Sequence, residues 1–346
     1  MKEAMFYEVI GGGAVRCLLC AHGCIIGEGK RGICAVRENR GGRLYTLVYG
    51  KLVAMNVDPI EKKPLFHFLP GSRTLSIAAA GCNFRCEHCQ NYEISQFPRE
   101  RPDVEIPGAR TTPETIVRMA IERGCRSISY TYTEPTIFLE FVLDCARLAR
   151  ENGIKNVFVS NGFMTAGSAA AAAACLDANN IDLKGGERFY RDVCHARAAP
   201  VKETIRLMRE KGVWVEVTTL LIPGLNDSPE TLGELARFIS SVDPFIPWHV
   251  SRFHPAYKLL DRSPTPTAVV RAARETGLEA GLKHVYVGNI PDGTGEDTFC
   301  PSCGAKIISR NGYLVSGMML DENGACPVCS GSVRGVWDSG GEQGPD

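Results

Sequence analysis

The chain has 346 residues, 44% hydrophobic and 23% charged, as in an ordinary soluble globular protein and unlike a disordered or membrane-embedded one. Lys+Arg and Asp+Glu each number 39, so the formal net charge is zero, and no nucleic-acid or anionic-membrane partner is indicated. No apolar run approaches the ~18–20 residues that span a bilayer, and Met1 to Gly13 lacks a secretion signal, so a cytoplasmic location is expected.

In that compartment thiols stay reduced, and the 15 cysteines read as metal ligands rather than as a disulfide framework. The first set, Cys17-x2-Cys20-x-His22-x-Cys24-x9-Cys34, lies near the start. It suits zinc or an auxiliary cluster, with zinc favoured because ferredoxin spacing does not match. A proline-marked stretch over 58–71 reads as a connector, closing an N-terminal cysteine-rich metal-binding segment over residues 1–70.

From Thr74 the pattern alternates. Strands are expected over 74–80, 127–133, 156–160, 181–184, 213–222, 249–253 and 284–287. Helices are expected near 113–123, 136–152, 168–178, 201–211, 229–240 and 267–276; the third contains the alanine run 169–174. Short apolar strands bounded by Gly, Pro or Asn and alternating with helices predict an α/β fold, a partial (β/α)6 TIM-type barrel over 71–292. Chemistry then belongs in the loops after the strands. Residues 293–346 are expected to form a zinc-ribbon-like tail: Cys300-x2-Cys303 and Cys326-x2-Cys329 flank a hairpin-like stretch with a turn at Asn311-Gly312. Two such knuckles hold one tetrahedral ion with no open position, which makes that metal structural.

The loop Gly81-Cys82-Asn83-Phe84-Arg85-Cys86-Glu87-His88-Cys89 follows the first central strand. A cubane cluster is ordinarily held by four thiolates. Three in one loop, Cys82, Cys86 and Cys89, leave one iron open. The competing reading is a zinc site that borrows His88. Glu134, at the end of the second strand, can pair with an ammonium or simply begin a helix before Pro135. Asp182 and Lys184 point to one face at period two, and burying them is costly unless they bind something; an ordinary strand-end pair is the alternative. Thr218 and Thr219 in the fifth strand and His249 in the sixth are further candidates, whereas His254 reads as a core residue.

Cys82-x3-Cys86-x2-Cys89 resembles the signature loop of the radical S-adenosylmethionine (SAM) superfamily. That resemblance implies a [4Fe–4S] cluster whose open iron is chelated by the amino and carboxylate groups of SAM. One electron then cleaves the sulfonium to methionine and a 5′-deoxyadenosyl radical, which abstracts hydrogen. His88 stands where family members often carry an aromatic residue against adenine. Thr133-Glu134-Pro135 stands at the Gly-Gly-Glu motif, so Glu134 would accept a hydrogen bond from the SAM amino group, with Tyr132 and Thr133 replacing the two glycines. Ser160, Asn161, Asp182 and Lys184 occupy the face that related enzymes use for the SAM carboxylate and ribose.

Further stretches extend the resemblance along nearly the whole chain: residues 17–37, Asp58-Pro-Ile-Glu-Lys-Lys-Pro, Cys89-Gln-Asn, Tyr130-Thr-Tyr-Thr-Glu-Pro, Ser160-Asn-Gly-Phe, Ile181-Asp-Leu-Lys-Gly, Leu221-Ile-Pro-Gly-Leu-Asn-Asp and the final cysteine pairs. Together they are similar to the radical SAM component of the AmmeMemoRadiSam system, a branch related to the activases of pyruvate formate-lyase and other glycyl radical enzymes. The resemblance implies an electron donor such as flavodoxin or ferredoxin. It also implies a substrate protein (a glycyl radical enzyme) or a small molecule, and the other AmmeMemoRadiSam components as partners. The competing functional class is a metal-stabilised interaction or scaffold protein without SAM turnover.

Overall fold

The computed structural model describes residues 1–291, 293–321 and 323–337. The chain forms two compact units, the first made of Met1–Asp58, Arg73–Val215 and Pro255–Ser263. Its centre is four strands: β1 (Arg73–Ala79), β2 (Ser127–Tyr130), β3 (Lys155–Ser160) and β4 (Ala178–Asp182). Each lies parallel to the next, with Thr74 beside Ser127, Ser127 beside Lys155, and Val157 beside Ala178. Every residue of β2, and every residue of β1 except Arg73, is buried. Strands covered on both faces read as continuous apolar runs, which is why these two were legible. Expected strand 181–184 instead forms at Ala178–Asp182, because buried Asn179 and Asn180 disguise its first half.

Helices α1 (Pro113–Glu122), α2 (Leu139–Glu151), α3 (Ala166–Ala173) and α4 (Ala198–Glu210) make the crossovers. Thr112 caps α1 through the Thr115 N–H, with Pro113 in the first turn. Thr165 and Ser168 form a reciprocal capping box that starts α3 two residues before the expected 168.

The N-terminal part holds two small antiparallel sheets that the sequence reading did not anticipate. One joins Lys2–Glu3, Arg43–Thr46 and Arg37–Arg40; the other joins Tyr7–Val9, Val15–Cys17 and Ile25–Ile26. Runs of two to four residues carry too little periodicity to be recognised. The first docks onto α2 through a fully buried ion pair, Arg37 with Glu140. Arg37 Nη1 also donates to the Met5 carbonyl (2.9 Å), and the Met5 N–H donates to Glu140 (2.7 Å).

The second unit contains Pro59–Ser72, Glu216–His254 and the chain from Pro264 on. Strands β5 (Trp214–Leu221), β6 (Trp248–Arg252) and β7 (Val285–Gly288) run parallel, with Thr218 beside His249 and His249 beside Tyr286. Helices α5 (Pro229–Val242) and α6 (Thr267–Glu279) cross between them. The tail is an antiparallel sheet of Thr298–Phe299, Lys306–Asn311 and Leu314–Met318. Its turn falls at Gly312-Tyr313, one residue later than expected, with Gly312 at φ +59°. The fold is thus mixed α/β with a parallel-strand sheet, consistent with a partial barrel. No helix among the described residues is long and apolar enough to cross a membrane.

Candidate active site

The three-cysteine loop leaves the end of β1 through Gly81, at φ +108°. A Cβ there would lie 2.8 Å from Val36 Cγ1 and 3.2 Å from the Cys34 carbonyl oxygen, so only glycine lets the chain turn. The loop backbone is then fixed from outside. Arg85 N–H donates to Cys194 O (3.2 Å), Glu87 N–H to Val193 O (3.1 Å), and Lys258 N–H to Glu87 O (2.9 Å).

Donors also reach the sulfurs. Phe84 N–H donates to Cys82 Sγ at 3.3 Å, Asn161 Nδ2 approaches the same sulfur at 3.9 Å, and Ser95 Oγ lies 3.2 Å from Cys89 Sγ. Such contacts tune a thiolate-held cluster. All three thiols titrate above the usual range. Burial is the main cause for Cys82 and Cys89, and a hydrogen bond with the Cys194 thiol is the main cause for Cys86. Ligation by metal would therefore release protons.

Two polar groups flank the loop. Beside Cys82 stands Glu134, whose carboxylate raises the Cys82 pKa after burial does. Glu134 Oε1 accepts from Thr136 N–H (3.0 Å), Thr136 Oγ1 (2.5 Å) and Ser160 Oγ (2.8 Å), while Oε2 accepts from Asn161 N–H (2.8 Å). It therefore caps the short helix Pro135–Phe138 and ties the ends of β2 and β3 together, which agrees with the helix-start reading. With a single acceptor bond, Oε2 keeps a lone pair for another donor. Asn161 Nδ2 donates to Asn83 Oδ1 (2.7 Å), and Asn83 Nδ2 is buried without a partner.

Beside Cys86 stands Lys184, bonded through Nζ to Asp182 Oδ2 at 2.8 Å. Burial works against its charge, but the neighbouring Asp182 carboxylate outweighs it and holds the Lys184 pKa well above its usual value. Lys184 lies just past the end of β4, and the Tyr190 hydroxyl fixes this turn by accepting from Lys184 N–H (3.0 Å) and donating to Asp182 O (3.1 Å). The pair is thus set by a turn rather than by strand alternation. His88 is buried; burial and the Lys184 charge lower its pKa to about 3, so its ring is neutral.

Tyr132 adopts φ +62°, a conformation glycine takes freely, and its carbonyl accepts from Asn91 Nδ2 (2.8 Å) while its hydroxyl donates to Asp58. A tyrosine thus holds a left-handed backbone here, at roughly 1–2 kcal/mol of strain. Thr133 Oγ1 donates to Ala79 O (2.7 Å).

Thr218 and His249 belong to the second unit, where they are register partners. His249 Nε2 is bonded to the fully buried Glu216 at 2.6 Å. His254 is exposed beyond the end of β6 rather than a core residue.

Sequence reasoning missed Asn83, Asn91, Ser95, Tyr190, Cys194 and Glu216. Asn83 and Asn91 stand inside or beside motifs already noted, and their polarity next to metal-ligating cysteines was the available signal. The others are partnered across gaps of 6 to 150 residues that no local pattern reveals.

The cysteine sets differ in geometry. Cys300, Cys303, Cys326 and Cys329 place all four sulfurs within 4.8 Å of one another, with 3.7 Å for Cys300–Cys329 and for Cys303–Cys326. Tetrahedral zinc with Zn–S near 2.3 Å needs sulfurs ~3.8 Å apart. Among the described residues no other set of three or more Cys, His, Asp or Glu donors is gathered so tightly. Thiolates on separate irons of a cubane stand farther apart than ligands of one ion. The donor set of Cys82, Cys86 and Cys89 therefore fits a cluster better than a zinc completed by His88.

Residues 76–239 match the family model described as the radical SAM superfamily. An uncharacterised protein of Methanocaldococcus jannaschii is 48% identical over 335 residues, covering 96% of this chain and 99% of its own. The pyruvate formate-lyase-activating enzyme of Clostridium pasteurianum is 22% identical over 183 residues, which cover 50% of this chain and 71% of that enzyme. Among solved structures, SuiB of Streptococcus suis bound to SAM superposes with a TM-score of 0.51 at 15% identity, over 70% of this chain and 56% of its own, a likeness of fold. With this match lying over the loop and its flanks, the chain belongs to the radical SAM superfamily.

Proposed function

We propose that this protein cleaves SAM reductively at a [4Fe–4S] cluster held by Cys82, Cys86 and Cys89, in a partial (β/α)6 barrel over residues 71–292. When bound, the cluster supplies one electron to the sulfonium of SAM, releasing methionine and a 5′-deoxyadenosyl radical that abstracts hydrogen from substrate. The observation that carries this reading is the pair of polar flanks on one three-thiol loop: Glu134 beside Cys82, and Lys184 with Asp182 beside Cys86.

Glu134 Oε2 binds the amino group of SAM, held in place by Ser160 and Asn161. Lys184 and Asp182 serve the carboxylate and ribose, His88 packs against the adenine, and Thr133 fixes the backbone beside the amino group. Cys300, Cys303, Cys326 and Cys329 hold a structural zinc. The electron comes from a flavodoxin or ferredoxin. The substrate is either a protein that receives a glycyl radical, as the activase similarity suggests, or a small molecule or another macromolecule, the form that partnership with the other AmmeMemoRadiSam components would favour.

The test is anaerobic reconstitution with iron and sulfide, followed by reductant and SAM. Release of 5′-deoxyadenosine well above that of the Cys82→Ala/Cys86→Ala/Cys89→Ala variant is expected. Equal release from both proteins would leave a metal-stabilised scaffold as the better description.

A further inference from the structure

The N-terminal cysteines do not stand apart from the active loop. Both belong to the first unit, and two side chains bond them together. His22, inside the N-terminal set, donates from Nε2 to the Asn83 carbonyl at 2.8 Å. Arg99 donates from Nη2 both to the Ile33 carbonyl (2.6 Å) and to the Cys82 carbonyl (3.0 Å). One guanidinium thus clamps the residue before Cys34 to the first cysteine of the loop. Gly81, whose missing side chain admits the Cys34 carbonyl and Val36, closes the contact.

The four cysteines are also near one another, with Cys17 N–H donating to Cys24 O at 2.9 Å. Cys20 is buried among Cys17, Cys24 and Cys34, which all act on it electrostatically. Ile33 N–H donates to Cys24 Sγ (3.5 Å), and Arg37 Nη1 points at Cys17 Sγ (3.8 Å). Arg37 is 1% exposed, and its Nε is buried without a partner. A buried guanidinium with a spare donor suits an anionic, multi-acceptor group better than a neutral thiol.

Geometry separates this set from the C-terminal one. A single tetrahedral ion would draw the sulfurs to ~3.8 Å, as at Cys300 and Cys329. No three of Cys17, Cys20, Cys24 and Cys34 bring their sulfurs within 4.8 Å of one another. Thiolates that each bind a different iron are spaced in this looser way.

We propose that Cys17, Cys20, Cys24 and Cys34 hold a second iron–sulfur cluster rather than zinc, seated directly against the loop that carries the first. The test requires no SAM turnover, so its failure would leave the SAM-cleavage reading standing. The Cys82→Ala/Cys86→Ala/Cys89→Ala variant of the full chain is reconstituted anaerobically with iron and sulfide, desalted, and assayed for iron, acid-labile sulfide and zinc. It is expected to retain about four iron and four sulfide per chain, plus one zinc from the C-terminal set. Adding Cys17→Ala and Cys20→Ala is expected to remove the iron and sulfide but leave that zinc. Adding Cys24→Ala and Cys34→Ala instead gives the same reading if the first combination fails to fold. A second zinc without sulfide, no metal beyond one zinc, or iron and sulfide persisting in both five-fold variants would each overturn the proposal.

Discussion

Two four-cysteine sets sit in this chain, and they are built differently. The C-terminal set compresses its sulfurs to 3.7 Å and leaves Cys303 and Cys329 exposed. Its surrounding core is small: Ile307, Ile308 and Val333 with the two buried cysteines, flanked by Ala305, Val315, Leu320 and Trp337. The N-terminal set is spaced more openly, lies beside a buried ion pair, and shares hydrogen bonds with the active loop. Equal counts of cysteine therefore serve two ends. One set gathers over a small core of its own, and the other is hydrogen-bonded to the three-cysteine loop.

The largest expected effect falls on the C-terminal set. Structural zinc contributes on the order of 10 kcal/mol of apparent folding energy. Cys303→Ser with Cys329→Ser should therefore expose the tail to limited proteolysis and abolish zinc binding, while iron content stays unchanged. A tail that resists protease as before would show that its small core suffices without metal.

Next is the clamp between the N-terminal set and the loop. Arg99→Met removes the donor shared by Ile33 O and Cys82 O, and should cost ~2–3 kcal/mol in denaturant unfolding. Unchanged stability would mean that the two segments are not energetically coupled.

Glu134→Gln keeps the bulk of the side chain but loses the charge that faces an ammonium. It should retain iron and sulfide and slow SAM cleavage by about 10–100-fold, mostly through weaker SAM binding. Loss of iron instead would assign Glu134 to building the loop.

The smallest effect is on pH. Burial lowers the pKa of His284 to about 4, against about 6.5 in an unfolded chain. Between those values the unfolded chain binds a proton that the folded one does not, so stability falls as pH drops through that window. By pH 5 the loss is about 2 kcal/mol from this residue. Denaturation midpoints at pH 7 and pH 5 measure this, and His284→Gln should flatten the difference. Equal midpoints for the parent protein would contradict the burial of neutral imidazoles.

Much of the core was legible because its strands are apolar runs punctuated by Gly, Pro and Asn, and because cysteine spacing is a local signal. The ends of β1 and β3 fell within a residue of expectation. What escaped has a physical reason in each case. The sheets around Cys17 have strands too short to show a period. The first half of β4 is polar yet buried. Glu134 was weighed as either helix start or SAM ligand, but the structure shows one carboxylate serving the first role with acceptor capacity left for the second. His249 reads locally as a candidate ligand, and its Glu216 partner lies 33 residues away.

The most direct test of the central claim is electron paramagnetic resonance of the reduced, reconstituted protein with and without SAM. A shift of the reduced-cluster signal on adding SAM, absent from the Cys82→Ala/Cys86→Ala/Cys89→Ala variant, is the predicted result. A spectrum that SAM leaves unchanged would mean that no iron there is open to it, and would contradict the assignment.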